Sequence, residues 1–399
     1  MISVDEAVAT IATTAKSLET EGVPLTEAPG RVLREDVHAR VSQPPASVSA
    51  MDGYAICWTG PCTEGQTFRV IGEAPAGRPF SGAVSGGDCV RLYTGSVVPA
   101  GANHVIIQEH VERTGDTITL TSRQPEPRNI RPEGGDFRRG DPIASAGTMI
   151  DAALAGLIAA ANVDSVLVTR CPRVALIANG DELHPPGSPL PTGAIVNSAP
   201  FALAPLLRTF GASVDFLGIA EDNQNAIKTM FDAARDYDVV IPIGGASVGD
   251  YDHMKEVART RYDLLFEKVA VKPGKPTWYG TSVNRQILGL PGNPASAITC
   301  ALLFAKPLVA TLLGDARQTL PTARALLTTA LPANGPRETY LRGSCFIDDQ
   351  GSLRVTPQAD QDSSLLRPYA ASNALIKREP KKMAAEIGGQ VQVIFFGRL

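Results

Sequence analysis

Residues 238–294 constrain the fold more than any other stretch of the chain. Three short apolar runs each lead into a glycine-bearing turn: Val239-Val240-Ile241-Pro242-Ile243 into Gly244-Gly245-Ala246-Ser247, Val269-Ala270-Val271 into Lys272-Pro273-Gly274-Lys275-Pro276, and Ile287-Leu288-Gly289-Leu290 into Pro291-Gly292-Asn293-Pro294. Valine- and isoleucine-rich runs ending in glycine, with helical spacing behind them, read as strand, turn and helix. In an open α/β sheet such turns gather at the carboxyl ends of the strands, where ligands bind. Glycine lets backbone N–H groups come close to an anion, and a helix N-terminus adds partial positive charge. The neighbouring lysines add formal charge, and Asp250 and Asp252 are suited to a hard cation. The stretch therefore predicts a site for a phosphorylated small molecule with a divalent metal.

The 399 residues suffice for two to four domains. A hydrophobic content of 44% describes a soluble globular protein, and a net charge of −4 argues against nucleic acid as a partner. No apolar run reaches membrane-spanning length and no secretory signal opens the chain, so no membrane partner and a cytoplasmic location are expected. The six cysteines form no Cys-x-x-Cys pair and read as reduced thiols.

Taken in order, residues 3–20 read as a helix with a Ser3/Glu6 capping box and an apolar stripe at Val4, Val8, Ile11, Ala15 and Leu18. Residues 43–54 are stiffened by proline and end in Asp52-Gly53, a turn pair. An isolated aspartate there would make an Asx-type backbone bond; small residues on both sides of Met51-Asp52-Gly53 favour a functional role as well. Residues 66–120 alternate as strands, with a hairpin at Gly115-Asp116. The charged stretch 128–141 reads as a solvated loop or as a basic rim for an anionic ligand.

Asp151 can cap a small-residue helix, and beyond it strands and helices alternate in the βαβ pattern of a mostly parallel sheet. Carboxylates recur just after its strands: Asp181/Glu182, Asp222 and Asp250/Asp252. Three such turns at one sheet edge predict a metal or general-base site. Asn293 is expected to cap a helix that has Pro294 at its first position, bends at Pro307 and ends at Gly314. After residue 318, short alternating runs between Gly/Pro/Asp turns predict a small β barrel or sandwich. Arg337 and Ser363 sit in it, and spacing alone places both on the surface.

The strings SAMDGYA (49–55), RLYTGSVVPAGA (91–102), GDEL (180–183), GGASVGDYD (244–252), KPGKP (272–276) and LPGNPASA (290–297) resemble, in order and spacing, the MoeA family of molybdopterin molybdenumtransferases and the matching half of gephyrin. The resemblance covers almost the whole chain. It implies an α/β plus β architecture in four units: a small discontinuous N-terminal domain (1–45 and 136–170), an all-β insert (46–135), a MogA-like mostly parallel α/β sheet domain (171–316) and a C-terminal β-barrel (317–399). It also implies an elongated homodimer whose active site lies between the third and fourth units of one subunit and the insert of its partner.

The implied reaction inserts molybdenum from molybdate into adenylated molybdopterin, with Mg²⁺-dependent cleavage and release of AMP. By resemblance, catalytic work falls on Asp52, Thr94, Glu182, Asp222 and Asp252, with Glu182, Asp222 and Asp252 as metal ligands. Gly244, Gly245, Ser247, Lys268, Lys272, Lys275, Pro291, Gly292, Asn293, Arg337 and Ser363 would bind substrate. A molybdopterin adenylyltransferase and molybdoenzyme chaperones are the implied protein partners. The chain departs from the family pattern at Asn179, Asn103, Gly135 and Ala246. The competing expectation is a non-catalytic molybdopterin-binding scaffold of the gephyrin type. The cluster of carboxylates and lysines favours an enzyme.

Overall fold

The computed structural model describes residues 1–124, 126–244 and 253–398. Gly245, Ser247, Asp250 and Asp252 lie outside the described residues.

A six-stranded sheet organises the chain. Its order is Ser213–Ala220, Arg173–Asn179, Val239–Ile243, Arg285–Gly289, Trp278–Ser282 and Asp263–Phe266. The first four strands are parallel; Trp278–Ser282 runs antiparallel to its neighbours on both sides, so Asp263–Phe266 at the edge runs in the direction of the first four. Strand residues alternate between faces. Val174 and Leu176 therefore join the core beneath helix Ala199–Thr209, while Ala175 and Ile177 join the opposite core with Ile227, Phe231, Met254 and Val257. This double cover explains why the strands read as continuous apolar runs.

The N-terminal helix spans Val4–Thr14, with Ser3 and Glu6 forming the expected capping box. It buries Val4, Ala7 and Ile11 in the core of the large sheet. The helix is shorter than expected, because Thr20–Pro24 instead pairs antiparallel with Ser165–Thr169. Satisfying a row of backbone groups on that partner outweighs the helical spacing of Ala15 and Leu18.

Residues 23–39 and 137–168 share a separate core that includes Leu33, Val37, Phe137, Ile150 and Ile158. Between them lies a six-stranded β unit ordered His104–Ile107, Gly53–Ile56, Asp88–Leu92, Thr67–Ala74, Thr117–Leu120 and Val111–Thr114. At the C-terminal end, Glu338–Ile347, Leu353–Pro357, Thr322–Leu327, Gln390–Phe395 and Ala374–Arg378 close on themselves as a five-stranded barrel. Closure removes exposed sheet edges.

The second glycine turn departs from expectation. Val271–Lys272 is not a strand of the large sheet; it pairs parallel with Glu338–Thr339 of the barrel. The long helix after Asn293 is α-helical over Pro294–Cys300, π-helical over Ala301–Ala305 and α-helical again over Lys306–Leu313, ending at Gly314 with φ 68°. The wider turn falls just before Pro307, which lacks the N–H that a regular ladder needs there. By length and mean hydropathy Pro294–Leu313 has the composition of a membrane span, but 89% of it is buried inside the protein.

Candidate active site

Two adjoining cavities lie where the sheet's carboxyl edge meets the barrel. The first, about 560 Å³, is lined by Lys272, Gly274, Lys275, Pro291, Asn293, Arg337 and Ser363 among others. The second, about 630 Å³, is lined by Asn179, Glu182, Asn197, Gly244, Gly292 and Ser364 among others. Pro276, Pro291 and Asn293 belong to both. Residues named from three distant stretches of sequence thus converge.

Local folding explains each position. The 272–276 turn is held against the long helix. Thr277 Oγ1 donates to Gly274 O at 2.8 Å and to Cys300 Sγ at 3.1 Å. A Cβ at Gly274 would stand 2.1 Å from that sulfur, so only glycine fits. Burial pushes the Cys300 thiol up to about 12, which leaves it a packing group rather than a nucleophile. Lys272 and Lys275 remain exposed at the cavity. On the barrel side, Arg337 Nη1 donates to Val271 O at 3.2 Å and Glu338 N to Ala270 O at 3.0 Å. These bonds bring a barrel cation beside the lysine-bearing turn.

Asn293 does not cap its helix through its side chain. Its Nδ2 donates to Ser363 Oγ at 2.8 Å, and Ala295 N donates to Ser363 O at 3.2 Å. A barrel carbonyl therefore occupies one of the free helix N–H groups, and the asparagine amide joins the two units instead. Thr299 Oγ1 and Tyr369 OH, 2.9 Å apart, add a buried bond across the same seam.

Glu182 is exposed at the second cavity and folds back over Gly180. Asn179, where the family pattern has threonine, donates from Nδ2 to Ala220 O and Glu221 O, both at 3.3 Å. It ties together the ends of two adjacent strands. Asp222 lies on that edge, its N–H donating to Asp181 Oδ1 at 2.9 Å, but it lines neither cavity. Lys268 also lines neither; it is exposed, and its carbonyl accepts from Ile2 N at 3.2 Å.

Asp52 and Thr94 meet each other within the β insert, away from both cavities of the same chain. Asp52 Oδ1 accepts from Thr94 N at 2.7 Å and from Thr94 Oγ1 at 2.9 Å. The backbone bond, then the hydroxyl bond, hold its pKa below the usual carboxylate range, with a further contribution from nearby Arg91. This contact across 42 residues replaces the local Asx-type bond considered from sequence. Asn103 also has a local reason: its Oδ1 accepts from Trp58 N at 2.7 Å and its Nδ2 donates to Trp58 O at 3.1 Å. An aspartate could only accept.

No sequence motif singles out Asn197. It lies at a strand-to-helix junction in the wall of the second cavity and is only 3% exposed.

A doubly covered sheet with a cation-lined cavity at its carboxyl edge, closed by a barrel, defines a class of α/β protein with its ligand site at the ends of the strands. Three family models match in succession: the MoeA N-terminal region (domain I and II) over residues 2–162, a probable molybdopterin binding domain over 175–311, and the MoeA C-terminal region (domain IV) over 324–396. The molybdopterin molybdenumtransferase of Haemophilus influenzae is 33% identical over 384 residues, 96% of this chain and 95% of that protein. That of Bacillus subtilis is 31% identical, covering 98% and 94%. A solved molybdopterin biosynthesis MoeA protein from Pyrococcus horikoshii superposes with a TM-score of 0.84 at 26% identity, covering 99% of this chain and all of the other. The chain belongs to the MoeA family of molybdopterin molybdenumtransferases and is an enzyme of molybdenum cofactor biosynthesis.

Proposed function

We propose that the protein inserts molybdenum from molybdate into adenylated molybdopterin and releases AMP in the same catalytic cycle. The observation that carries this reading is the convergence of Lys272, Lys275 and Arg337 on one cavity that adjoins the Glu182 cavity. Three cations with the Asn293 turn suit phosphate and oxyanion groups. Attack of a water or oxyanion oxygen on phosphorus breaks the P–O–P bridge, AMP leaves with the bridging oxygen or the new one, the molybdopterin keeps its own phosphate, and the dithiolene sulfurs hold the metal.

Mg²⁺ fits the carboxylates at this edge. Such an ion keeps several waters and needs only one or two carboxylates beside substrate phosphates, and Glu182 is exposed at the cavity. Among the described residues no group of three metal-ligating side chains converges. Glu182, Asp222 and Asp252 are the groups that would hold the ion, which when bound would neutralise the pyrophosphate. Gly244, Pro291 and Gly292 would bring backbone close to the substrate. Gly245 and Ser247 are assigned with them from the family pattern, as is Lys268. Ser363, already bonded to Asn293, would position that turn.

In this reading the protein works in the cytoplasm as a homodimer, its units being 1–45 with 136–170, 46–135, 171–316 and 317–399. The partner's insert carries the Asp52–Thr94 pair to the cavities. Asp52, fixed and ionised, orients the attacking oxygen. A molybdopterin adenylyltransferase supplies the substrate, and molybdoenzyme chaperones take the product.

Single-turnover conversion of adenylated molybdopterin with molybdate and Mg²⁺, comparing the native protein with Asp52→Ala, tests the proposal. The expected result is molybdate-dependent AMP release by the native protein, reduced by about 10²-fold or more in a variant that still dimerises. No AMP release by native protein that binds the ligand would sink the reading.

A further inference from the structure

The two cavities differ in charge. Lys272, Lys275 and Arg337 line the first together with one carboxylate, Asp362, which leaves cations in excess. No lysine or arginine lines the second among the described residues, and the sequence of 245–252 contains none. Its walls are largely Leu183, Ile195, Val196, Ile243 and prolines, with Glu182 as the one charged group among the described lining. Without a cationic side chain of its own, a slot with these apolar walls suits a flat uncharged ring better than a phosphate.

Three asparagines line this slot, and the fold uses the amides of two, Asn293 having given its own to Ser363. Asn179 spends its amide on two backbone carbonyls. The Asn197 backbone is held, its N–H donating to His184 O at 2.8 Å beside the bond from Ile195 N to Glu182 O, also 2.8 Å. The Asn197 side-chain nitrogen, sealed from solvent, has no hydrogen-bond partner among the described residues. A buried amide left unpaired is destabilising unless a ligand supplies its partner. A half-turn of the carboxamide exchanges its nitrogen and oxygen, so it can offer the slot a donor or an acceptor. Beside it, helix Ala199–Thr209 begins at Ser198 with no side-chain cap.

We propose that Asn197 reads the donor–acceptor edge of the substrate's heterocycle in the Glu182 cavity, while the Lys272/Lys275/Arg337 cavity takes the phosphates and the molybdate oxyanion. This deepens the reading above and rests on it. Both a pterin and an adenine present an adjacent donor and acceptor on a flat ring.

Equilibrium binding of a phosphate-free 6-substituted pterin, of adenosine and of pyrophosphate would be measured for the native protein, Asn197→Ala and Lys275→Ala. Asn197→Ala is expected to weaken one heterocycle about tenfold, the worth of one hydrogen bond left unmade, and to change pyrophosphate binding less than twofold. Lys275→Ala should do the reverse. Loss confined to the pterin assigns the slot to the pterin; loss confined to adenosine assigns it to the nucleoside end. Either upholds the proposal. The melting temperature of Asn197→Ala should stay level or rise, since no internal bond is lost. Unchanged binding of both rings overturns the proposal. So does a lowered melting temperature with all three ligands weakened together, which marks a structural residue; Asn197→Asp, which keeps the shape and loses the donor, checks that outcome. AMP release by the native protein is scored separately, so a failed ring assignment stays distinct from a failed transferase reading.

Discussion

Asp52 and Glu182 are both carboxylates beside a strand end, and the fold treats them in opposite ways. Asp52 has one oxygen fixed by the backbone and hydroxyl of Thr94, and that contact holds it ionised. Glu182 hangs over a glycine at an open cavity. A fixed carboxylate suits a task that needs orientation, because its geometry is set before the ligand arrives. A loosely placed one suits a task in which the ligand supplies the geometry, such as sharing a hydrated cation with phosphate oxygens.

The largest effect expected from breaking this contrast is at Gly53. A Cβ there would stand 2.0 Å from Ile106 O, a backbone atom of the adjacent strand. Gly53→Ala should therefore cost about 3 kcal/mol in urea unfolding and disturb the neighbouring Asp52–Thr94 contact. At Gly180, with φ 148°, a Cβ would meet the Glu182 carboxylate at 2.5 Å, and a flexible side chain can move aside. Gly180→Ala should cost only about 1–2 kcal/mol, from backbone strain. Equal losses would mean that the two carboxylates are held alike.

Thr94→Val sharpens the contrast with less damage. It removes the hydroxyl bond and leaves the backbone bond. The Asp52 pKa then rises toward its ordinary value, so the acid limb of the pH–rate profile should move to higher pH. The linked stability runs the same way. A depressed carboxylate stabilises the fold above its unfolded pKa, and that contribution is lost as pH falls through the lower folded value. Thr94→Val should weaken this dependence; Glu182→Gln should leave the limb where it is. A profile unmoved by Thr94→Val would detach Asp52 from the rate.

The smallest effect is expected at the other end of the Asp52 strand. Asn103→Asp keeps the acceptor for Trp58 N but loses the donor to Trp58 O. A loss of about 1 kcal/mol in thermal or urea unfolding, with AMP release nearly unchanged, is the expected outcome. A large loss of activity would place Asn103 in the substrate path instead.

Much of the architecture was legible in the chain. Apolar runs ending in glycine marked the parallel strands, Ser3/Glu6 and Asp151 marked helix starts, and Gly314 marked a helix end. These are local signals, set within a few residues of one another. The errors arose where a distant partner outbid the local preference. Asn293 has the residue type of a cap, yet its amide goes to Ser363, 70 residues away. Val271–Lys272 has the composition of a sheet strand, yet the barrel supplies its partner. Thr20 continues a helical pattern, yet it pairs with Thr169. Asn197 could not be singled out, since an unpaired amide is visible only once every neighbour is placed.

By itself the sequence determined the family, the order of strands and helices, and the residue types available for chemistry, because periodicity, turn residues and motif spacing act over short range. Tertiary structure alone decided which of those residues meet. It gathered Lys272, Arg337 and Ser363 on one cavity and Glu182 and Asn197 on the next, and it joined Asp52 to Thr94 elsewhere. The physical reason is that a side chain's hydrogen-bond partners and solvent exposure are set by packing between elements far apart in the chain, which no local pattern encodes.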